Sequence, residues 1–339
     1  MLKSRTRRAS LALAAVTLAV GMGLVSQPAQ SADKTSVSIR FSWKLKGEFA
    51  PLYVALDKGY FAAENLDVKL GEGASSQAAL GSIVQDQDQF AWLPGVFSAQ
   101  AISGGMPVKI VGLYNAAAPN VLLSRADNPV RTPEDLKGKI VGHSVGDVGT
   151  TFISVLCKKN KIDCDSFQTV TIAAPVRVPS LVGKKLDVVS AYTSNDLPIL
   201  IDKFGPNAFI AMDPAKFGLR VMGAALTVSD AYLAKNPKIV AALRRAIDKG
   251  FEDTIANPKG AAEIMLKHWD ASLSLDVVTA QVKALNDAVE KRPGKSLGWV
   301  DPQAVDDTLD ALETAHEIKS RKPVGAYLDN SLLDAGSKS

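Results

Sequence analysis

The sequence contains few residues of the kind that bind transition metals. Among its 339 residues there are only three histidines and two cysteines. The histidines, His143, His268 and His316, are far apart along the chain and lack the close spacing typical of zinc ligands. We therefore expect no metal site, and nothing in the sequence indicates a cofactor.

The sequence also lacks an apolar segment of the length usual for a membrane-spanning helix. Its N-terminal apolar segment, Leu11–Val25, has 15 residues, whereas a spanning helix needs about 20. Four basic residues precede this segment and small residues follow it, which is the pattern of a secretory signal peptide. We predict that residues 1–32 are a leader cleaved after Ser31 or Ala32 and that the mature protein is periplasmic; a retained anchor is the alternative. No cysteine stands directly after the apolar segment, which argues against a lipid anchor.

The mature chain has no excess of either charge. The leader holds four of the 39 Lys and Arg residues and none of the 35 acids, so 35 residues of each sign remain. Nucleic-acid binding normally relies on a positively charged surface. We therefore expect no nucleic-acid partner.

The two cysteines, Cys157 and Cys164, are close in sequence. An oxidising compartment favours a disulfide between them. The intervening residues have the pattern of a helix end and a turn, which would bring the sulfurs together. A pair of reactive thiols is the alternative, although no redox motif surrounds them.

Short β-branched segments alternate with helical ones after the leader. Val37–Phe41 and Leu66–Leu70 are predicted strands, and Ser76–Gln85 has apolar residues at helical spacing. Phe90–Leu93 and Val108–Leu113 continue the alternation. This rhythm predicts a mostly parallel sheet with crossover helices.

A second unit with the same rhythm follows, and the chain then returns through an apolar strand, Val221–Val228, before a helical end. The prediction is an α/β protein with two α/β lobes, a two-stranded hinge and a helical C-terminal tail. We assign residues 33–120 to lobe 1, 121–220 to lobe 2, and 221–339 to the return strand and the C-terminal helices. A ligand cleft is expected between the lobes.

Four segments resemble one protein family: Phe49–Val68, Thr132–Gly142, Val228–Ala256 and Leu297–Asp301. It comprises the periplasmic solute-binding proteins for nitrate, sulfonates, taurine and thiamine-pyrimidine precursors. The resemblance implies a type II periplasmic-binding-protein fold. It also implies a monomeric, non-catalytic receptor that delivers a small solute to the permease of an ABC importer at the inner membrane.

The chain departs from one branch of this family just before the first helix. Members that bind the thiamine pyrimidine resemble the chain near Trp43 but have an Asn-His pair where Glu48 and Phe49 stand here. Eukaryotic pyrimidine synthases of the same fold consume that histidine and use a cysteine cluster, and this chain has neither. The departure argues against an enzyme and puts pyrimidine specificity in doubt.

Loops after the strands supply the candidate ligand contacts, because ligands of open α/β sheets bind beyond the carboxyl ends of strands. An aromatic ring can stack on a planar ligand, and acids and hydroxyls can hydrogen-bond to it. Each candidate has a structural alternative: a core aromatic, a solvated acid or a helix cap. The candidates are Trp43, Glu48, Ser75, Ser76, Trp92 and Tyr114 in lobe 1, and Asp147, Thr150 and Tyr192 in lobe 2.

This mixture of aromatic rings and acids favours a planar, nitrogen-containing ligand resembling a pyrimidine. The serine loop, together with Arg177 and Arg220, favours the alternative of a sulfonate, nitrate or aromatic carboxylate. A pyrimidine-synthase-like enzyme and a sensor subunit for a membrane kinase are the alternative function classes.

Export makes a direct prediction. The mature protein should begin at Ala32 or Asp33, because the small residues before them form the cleavage site. N-terminal sequencing of the protein from a periplasmic extract checks this. An intact Met1 terminus in that extract would contradict it.

Overall fold

A computed structural model describes residues 34–144, 148, 153–270 and 272–332. The predicted leader and the candidate site residues Asp147 and Thr150 lie outside the described residues.

The first sheet has five strands in the order β2-β1-β3-β10-β4. β1 pairs in parallel with β2 and β3, whereas β10 runs antiparallel to β3 and β4. The strands are β1 (Thr35–Phe41), β2 (Leu66–Gly71), β3 (Phe90–Pro94), β4 (Val108–Leu113) and β10 (Ala224–Ser229). The predicted return strand therefore enters the first sheet as its one antiparallel member.

The second sheet also has five strands, in the order β7-β6-β8-β5-β9. β6 is parallel to β7 and β8, and β5 is antiparallel to β8 and β9. The strands are β5 (Asn120–Arg125), β6 (Ile140–His143), β7 (Gln168–Thr171), β8 (Val188–Tyr192) and β9 (Phe209–Met212). We call the first sheet with its helices the first lobe and the second sheet with its helices the second lobe.

Helices cover the sheets and complete the C-terminal part. They are α1 (Ala50–Asp57), α2 (Tyr60–Ala63), α3 (Ser76–Val84), α4 (Gly95–Ser103), α5 (Ile153–Asn160), α6 (Ala174–Val182), α7 (Asp196–Phe204), α8 (Asp230–Lys235), α9 (Pro237–Ala256), α10 (Pro258–His268), α11 (Leu275–Asp287) and α12 (Pro302–Thr314). Single turns of 3-10 helix lie at Gly47–Phe49, Pro133–Leu136, Cys164–Ser166, Pro214–Phe217 and Val324–Ala326. No helix in the described part of the chain is both long and apolar enough to cross a bilayer.

The chain passes between the two sheets twice, and the two passages are hydrogen-bonded to each other. The backbone N–H of Tyr114 donates to Ala224 O at 2.9 Å, and that of Gly223 donates to Asn115 O at 2.9 Å. A Cβ atom at Gly223 would lie 2.8 Å from the Asn115 Cβ. A glycine is therefore needed where the passages touch. The arrangement is the predicted two-lobed fold with a double connection.

One predicted boundary differs from that in the structure: the return strand runs from Ala224 to Ser229, not from Val221 to Val228. In the second lobe, α6 begins at Ala174, because Pro175 fits the first turn of a helix, which needs no N–H at that position. The segment after Thr132 forms one 3-10 turn, Pro133–Leu136. It is held by the Asp135 carboxylate, which accepts from the N–H groups of Arg131 and Thr132 at 2.9 and 3.0 Å.

Cys157 and Cys164 form a disulfide that joins the end of α5 to the following turn. Cys157 is buried, and no free cysteine occurs among the described residues. The bond closes a small loop in the second lobe.

Removing this bond should destabilise the protein. In the chain-entropy description, a loop of this length contributes roughly 2–3 kcal/mol to the free energy of unfolding. We expect the double variant Cys157→Ser, Cys164→Ser to melt several degrees below the wild type. The denatured wild type should show no free thiol until a reductant is added. Two titratable thiols without reductant would contradict the disulfide.

Candidate ligand-binding site

A cavity of about 390 Å³ lies between the lobes. One wall is Trp43, in the loop after β1. The opposite wall follows β6 and β7 in the second lobe, and consists of Ser144, Thr171, Ile172, Ala173, Ala174 and Pro175. The volume falls within the range typical of small-molecule sites.

Trp43 presents an open aromatic face to this cavity. Trp43 is 42% exposed, whereas tryptophan is highly buried on average in folded proteins. A flat exposed ring in a cleft is suited to stacking against a planar solute.

The loop that carries Trp43 is held by Glu72, in the loop after β2. The Glu72 carboxylate accepts from the backbone N–H of Leu45 at 2.8 Å and from Lys44 Nζ at 3.0 Å. These contacts lower the pKa of Glu72, the backbone hydrogen bond most of all. Gly73 N–H donates to Trp43 O at 3.2 Å, and a Cβ at Gly73 would collide with Phe41 O. The two loops are therefore fixed together, and the backbone that carries the indole is positioned before a ligand arrives.

Glu48 reaches from the first lobe to the second. Its Oε2 accepts from Asn195 Nδ2 at 2.9 Å and from Ser194 Oγ at 3.3 Å. Both donors are buried and belong to the turn between β8 and α7. The Glu48 carboxylate thus lies at the boundary between the lobes, a few residues beyond Trp43.

Gln281 of α11 reinforces the same boundary. Its Nε2 donates to Asn195 O at 3.0 Å, and its Oε1 accepts from Gly47 N–H at 3.3 Å. The side chain is fully buried. One amide therefore joins the Glu48 loop, the second-lobe turn and the C-terminal helices.

The electrostatic setting of Glu48 is unusual for an acid. Burial raises the pKa of the Glu48 carboxyl above its ordinary value of 4.5. The hydrogen bonds from Asn195 and Ser194 and the charge of Lys46 oppose this rise, and the carboxylate of Asp196 adds to it. Perturbed acids in clefts are characteristic of functional sites.

The second-lobe wall offers hydroxyl groups at the ends of two parallel strands. Ser144 Oγ donates to Ile172 O at 2.8 Å, and Thr171 Oγ1 lies 2.7 Å from His143 Nε2. His143 therefore orients Thr171 instead of lining the cavity itself. No group of three potential metal ligands occurs within the described ranges.

The other candidates from the sequence lie elsewhere on the loops. Ser75 caps α3, accepting from Ala78 N–H at 3.1 Å, and Ser76 is the first residue of that helix. Neither lines the cavity of Trp43. Tyr192 ends β8, three residues before Asn195, and is half-buried. Ligand contact by these three side chains remains a prediction.

Trp92 and Tyr114 are core residues in the structure, and we do not include them in the candidate site. They are 3% and 1% exposed. Phe251 of α9 stacks on Tyr114 with ring centroids 4.3 Å apart, and Trp92 lies 5.1 Å from Tyr114. Trp92 belongs to β3 itself, not to a loop after it. Burial and Asp248, which accepts from the Tyr114 hydroxyl at 2.9 Å, raise the pKa of Tyr114.

Sequence reasoning missed the residues of the second-lobe wall and the two inter-lobe amides. Four consecutive polar residues follow β8, from Thr193 to Asp196, and such a segment indicates a turn and the start of a helix. Gln281 gave no signal, because it stands in an ordinary amphipathic helix.

A second cavity, of about 350 Å³, lies at the edge of the first sheet. The Arg40–Asp88 ion pair, at 2.8 Å, lies in its wall. Its lining residues all belong to the first lobe, so closure of the lobes would not enclose a solute there.

Two α/β lobes with a double connection and an inter-lobe cavity define the fold of the type II periplasmic binding proteins. The periplasmic aliphatic sulphonate binding protein SsuA of Escherichia coli has this fold. It aligns with a TM-score of 0.69 over 87% of this chain and 92% of its own, at 12% sequence identity.

The chain belongs to the NMT1/THI5 like family, whose sequence model matches residues 46–261. The riboflavin-binding protein RibY of Chloroflexus aurantiacus is 26% identical, with 91% of this chain and 90% of RibY aligned. The formylaminopyrimidine-binding protein of Halalkalibacterium halodurans is 22% identical, with 88% and 91% aligned. Relatives named 4-amino-5-hydroxymethyl-2-methylpyrimidine phosphate synthase also occur. The family resemblance expected from the sequence is confirmed.

The raised pKa of Glu48 leads to a prediction about stability. Folded Glu48 binds a proton at a higher pH than unfolded Glu48, so the free energy of unfolding falls as pH rises through the raised pKa. The substitution Glu48→Gln removes this pH-dependent decrease in the free energy of unfolding. Without ligand, we expect the variant to melt above the wild type near neutral pH, and the difference to shrink as pH falls toward 4.5.

Glu263→Gln is the matched control, because Glu263 is an exposed acid on α10. It should melt like the wild type across the same pH range. A Glu48→Gln variant that melts lower than the wild type near neutral pH would mean that ionised hydrogen bonds to Ser194 and Asn195 outweigh the cost of burial.

Proposed function

We propose that the protein is a non-catalytic, extracytoplasmic receptor that captures a planar nitrogen heterocycle between its lobes and delivers it to an ABC importer. The observation that carries this is the exposed ring of Trp43 facing the second-lobe wall across a cavity of solute size. A binding protein needs such a ring and a few oriented hydrogen bonds, and it needs no reactive group.

The chemistry of the relatives' named ligands supports a heterocycle. Riboflavin and formylaminopyrimidines share one element, a pyrimidine ring that carries at least one N–H donor. Trp43 offers a stacking surface in the cavity. Glu48 does not line that cavity, but its carboxylate lies at the boundary between the lobes, where it contacts Asn195 and could accept from a ring N–H of a solute that extends that far.

The sequence around Glu48 supports a receptor over an enzyme. A synthase of this fold would need a reactive histidine where Phe49 stands, and Phe49 is buried against Phe41, with ring centroids 4.2 Å apart. The two cysteines are joined to each other in the second lobe. The position of the reactive histidine is therefore occupied by a phenylalanine, and the two cysteines are held in a disulfide.

Delivery to a permease follows from the fold in this proposal. Hinge closure around the solute would create the form that a membrane partner recognises. The alternative partner is a membrane sensor kinase, and permease and ATPase genes beside this gene would favour import.

A sulfonate is the second candidate solute, since the fold is shared with the sulfonate-binding protein SsuA. Arg177 and Arg220 are the basic residues that the sequence offers for binding its anionic group. Arg220 lies 3.2 Å from Glu290 and 4.0 Å from Asp307, and Arg177 lies 4.0 Å from Asp196. Because each arginine already faces a carboxylate, the heterocycle is favoured.

A thermal-shift screen with riboflavin, a formylaminopyrimidine and the sulfonate MOPS tests the proposal. A ligand at 100 times its Kd stabilises by about 2.7 kcal/mol, so the melting temperature should rise by several degrees. We expect a shift with at least one heterocycle and none with MOPS. A shift with MOPS alone would support the sulfonate alternative and contradict ours.

Trp43→Ala should weaken heterocycle binding roughly 5- to 150-fold, because loss of stacking on an aromatic ring costs about 1–3 kcal/mol. Calorimetric titration measures the affinity directly. Trp43→Phe keeps a flat ring and should retain most of the affinity for the heterocycle. Trp299 is outside the cavity lining, so Trp299→Phe should leave that affinity unchanged. Unchanged affinity in Trp43→Ala rejects the stacking role.

A further inference from the structure

One oxygen of the Glu48 carboxylate, Oε2, is held by hydrogen bonds from the second lobe. Both hydrogen bonds from the second lobe, from Asn195 and Ser194, reach Oε2. Oε1 receives neither of them. These contacts fix the side chain across the boundary between the lobes, so Oε1 also has a defined position. Neither Glu48 nor Asn195 lines the cavity of Trp43, so a solute that contacts Oε1 must extend from that cavity to the boundary.

Asn195 supplies a second acceptor next to the first. Its Nδ2 must face Glu48, because a carboxylate accepts and cannot donate. Its Oδ1 is then directed elsewhere, and it is buried without a hydrogen-bond partner in the described part of the chain. Asn195 as a whole is 5% exposed. A buried acceptor without a partner is unfavourable, so an N–H group brought to it by a solute would be stabilising.

The charges around this pair are mixed. Lys46 and Arg177 are the cations, and Asp196 is the other acid. Arg177 faces Asp196 at 4.0 Å, and Asp196 also accepts from the Tyr192 N–H at 2.9 Å. Glu48 Oε1 and Asn195 Oδ1 are thus both acceptors while Glu48 is ionised, and an anion brought to Oε1 would be repelled by the charge of Glu48 itself.

We propose that Glu48 and Asn195 are the specificity-determining residues of the cleft, selecting planar solutes with N–H donors on the ring edge and rejecting sulfonates and carboxylates. This rests on the proposed function and narrows it to a ligand class. A sulfonate or carboxylate has only acceptor oxygens, so it leaves both protein acceptors without partners and adds like charge. An amino or ring N–H group satisfies them.

Calorimetric titration of wild type and Glu48→Gln with riboflavin, a formylaminopyrimidine and MOPS tests this. A hydrogen bond to a charged acceptor is stronger than one to a neutral acceptor, so the variant should bind the heterocycle roughly tenfold more weakly. Its affinity for MOPS should stay equal or rise. Glu263→Gln, exposed on α10, should match the wild type with every probe.

A pH titration on the wild type supplies a measurement that does not depend on a variant's folding. Affinity for the bound heterocycle should fall as pH is lowered through the raised pKa of Glu48, because protonation removes the charged acceptor. Lys46, Arg177 and Asp196 are present in both proteins, so a difference between the two pH profiles reports on Glu48. The Glu48→Gln variant should therefore give a flatter profile.

The outcomes separate this proposal from the one on which it rests. Heterocycle binding that is equal in wild type and Glu48→Gln, with the same pH profile, overturns the role of Glu48 and leaves the receptor function standing. Tight binding of MOPS by the wild type, or binding of neither heterocycle, overturns both.

Discussion

The paired passages between the lobes are the constraint on which the rest of the structure depends. Tyr114 and Asn115 in one passage are hydrogen-bonded to Ala224 and Gly223 in the other, so the two connections act as one element. They set the distance across which Trp43 faces the second-lobe wall. Any motion of one lobe against the other must bend both passages together, which limits the motion to a hinge.

The polar contacts at Glu48 show how stability and binding oppose each other in the cleft. Burying a carboxyl at the boundary between lobes is costly, and the structure offsets that cost with donors from Ser194 and Asn195. A neutral side chain at this position would cost less free energy to bury. An acid at this position is understandable if it contributes to recognition, since functional sites commonly retain groups that are unfavourable for the fold alone.

Much of the fold could be predicted from the sequence, but the candidate site only in part. Alternating patterns identified the strands of both sheets because burial of strands and helices imposes those periods. Trp43, Glu48, Trp92 and Tyr114 were all predicted as ligand contacts from their places at or after the ends of strands, and ligand contact stays a prediction. The structure buries Trp92 and Tyr114 in the core, and β3, which carries Trp92, is buried on both faces and shows no alternation. Only the packing of Phe251 from α9 decides that these rings belong to the core.

The sequence by itself determined the family, the order of the elements and the pairing of two neighbouring cysteines, because these depend on local pattern and short separation. The tertiary structure decided which side chains face each other across the cleft. Glu48 and Asn195 are 147 residues apart, and Gly47 and Gln281 are 234 apart. No local pattern encodes such contacts, since they form only when the two lobes and the C-terminal helices pack together.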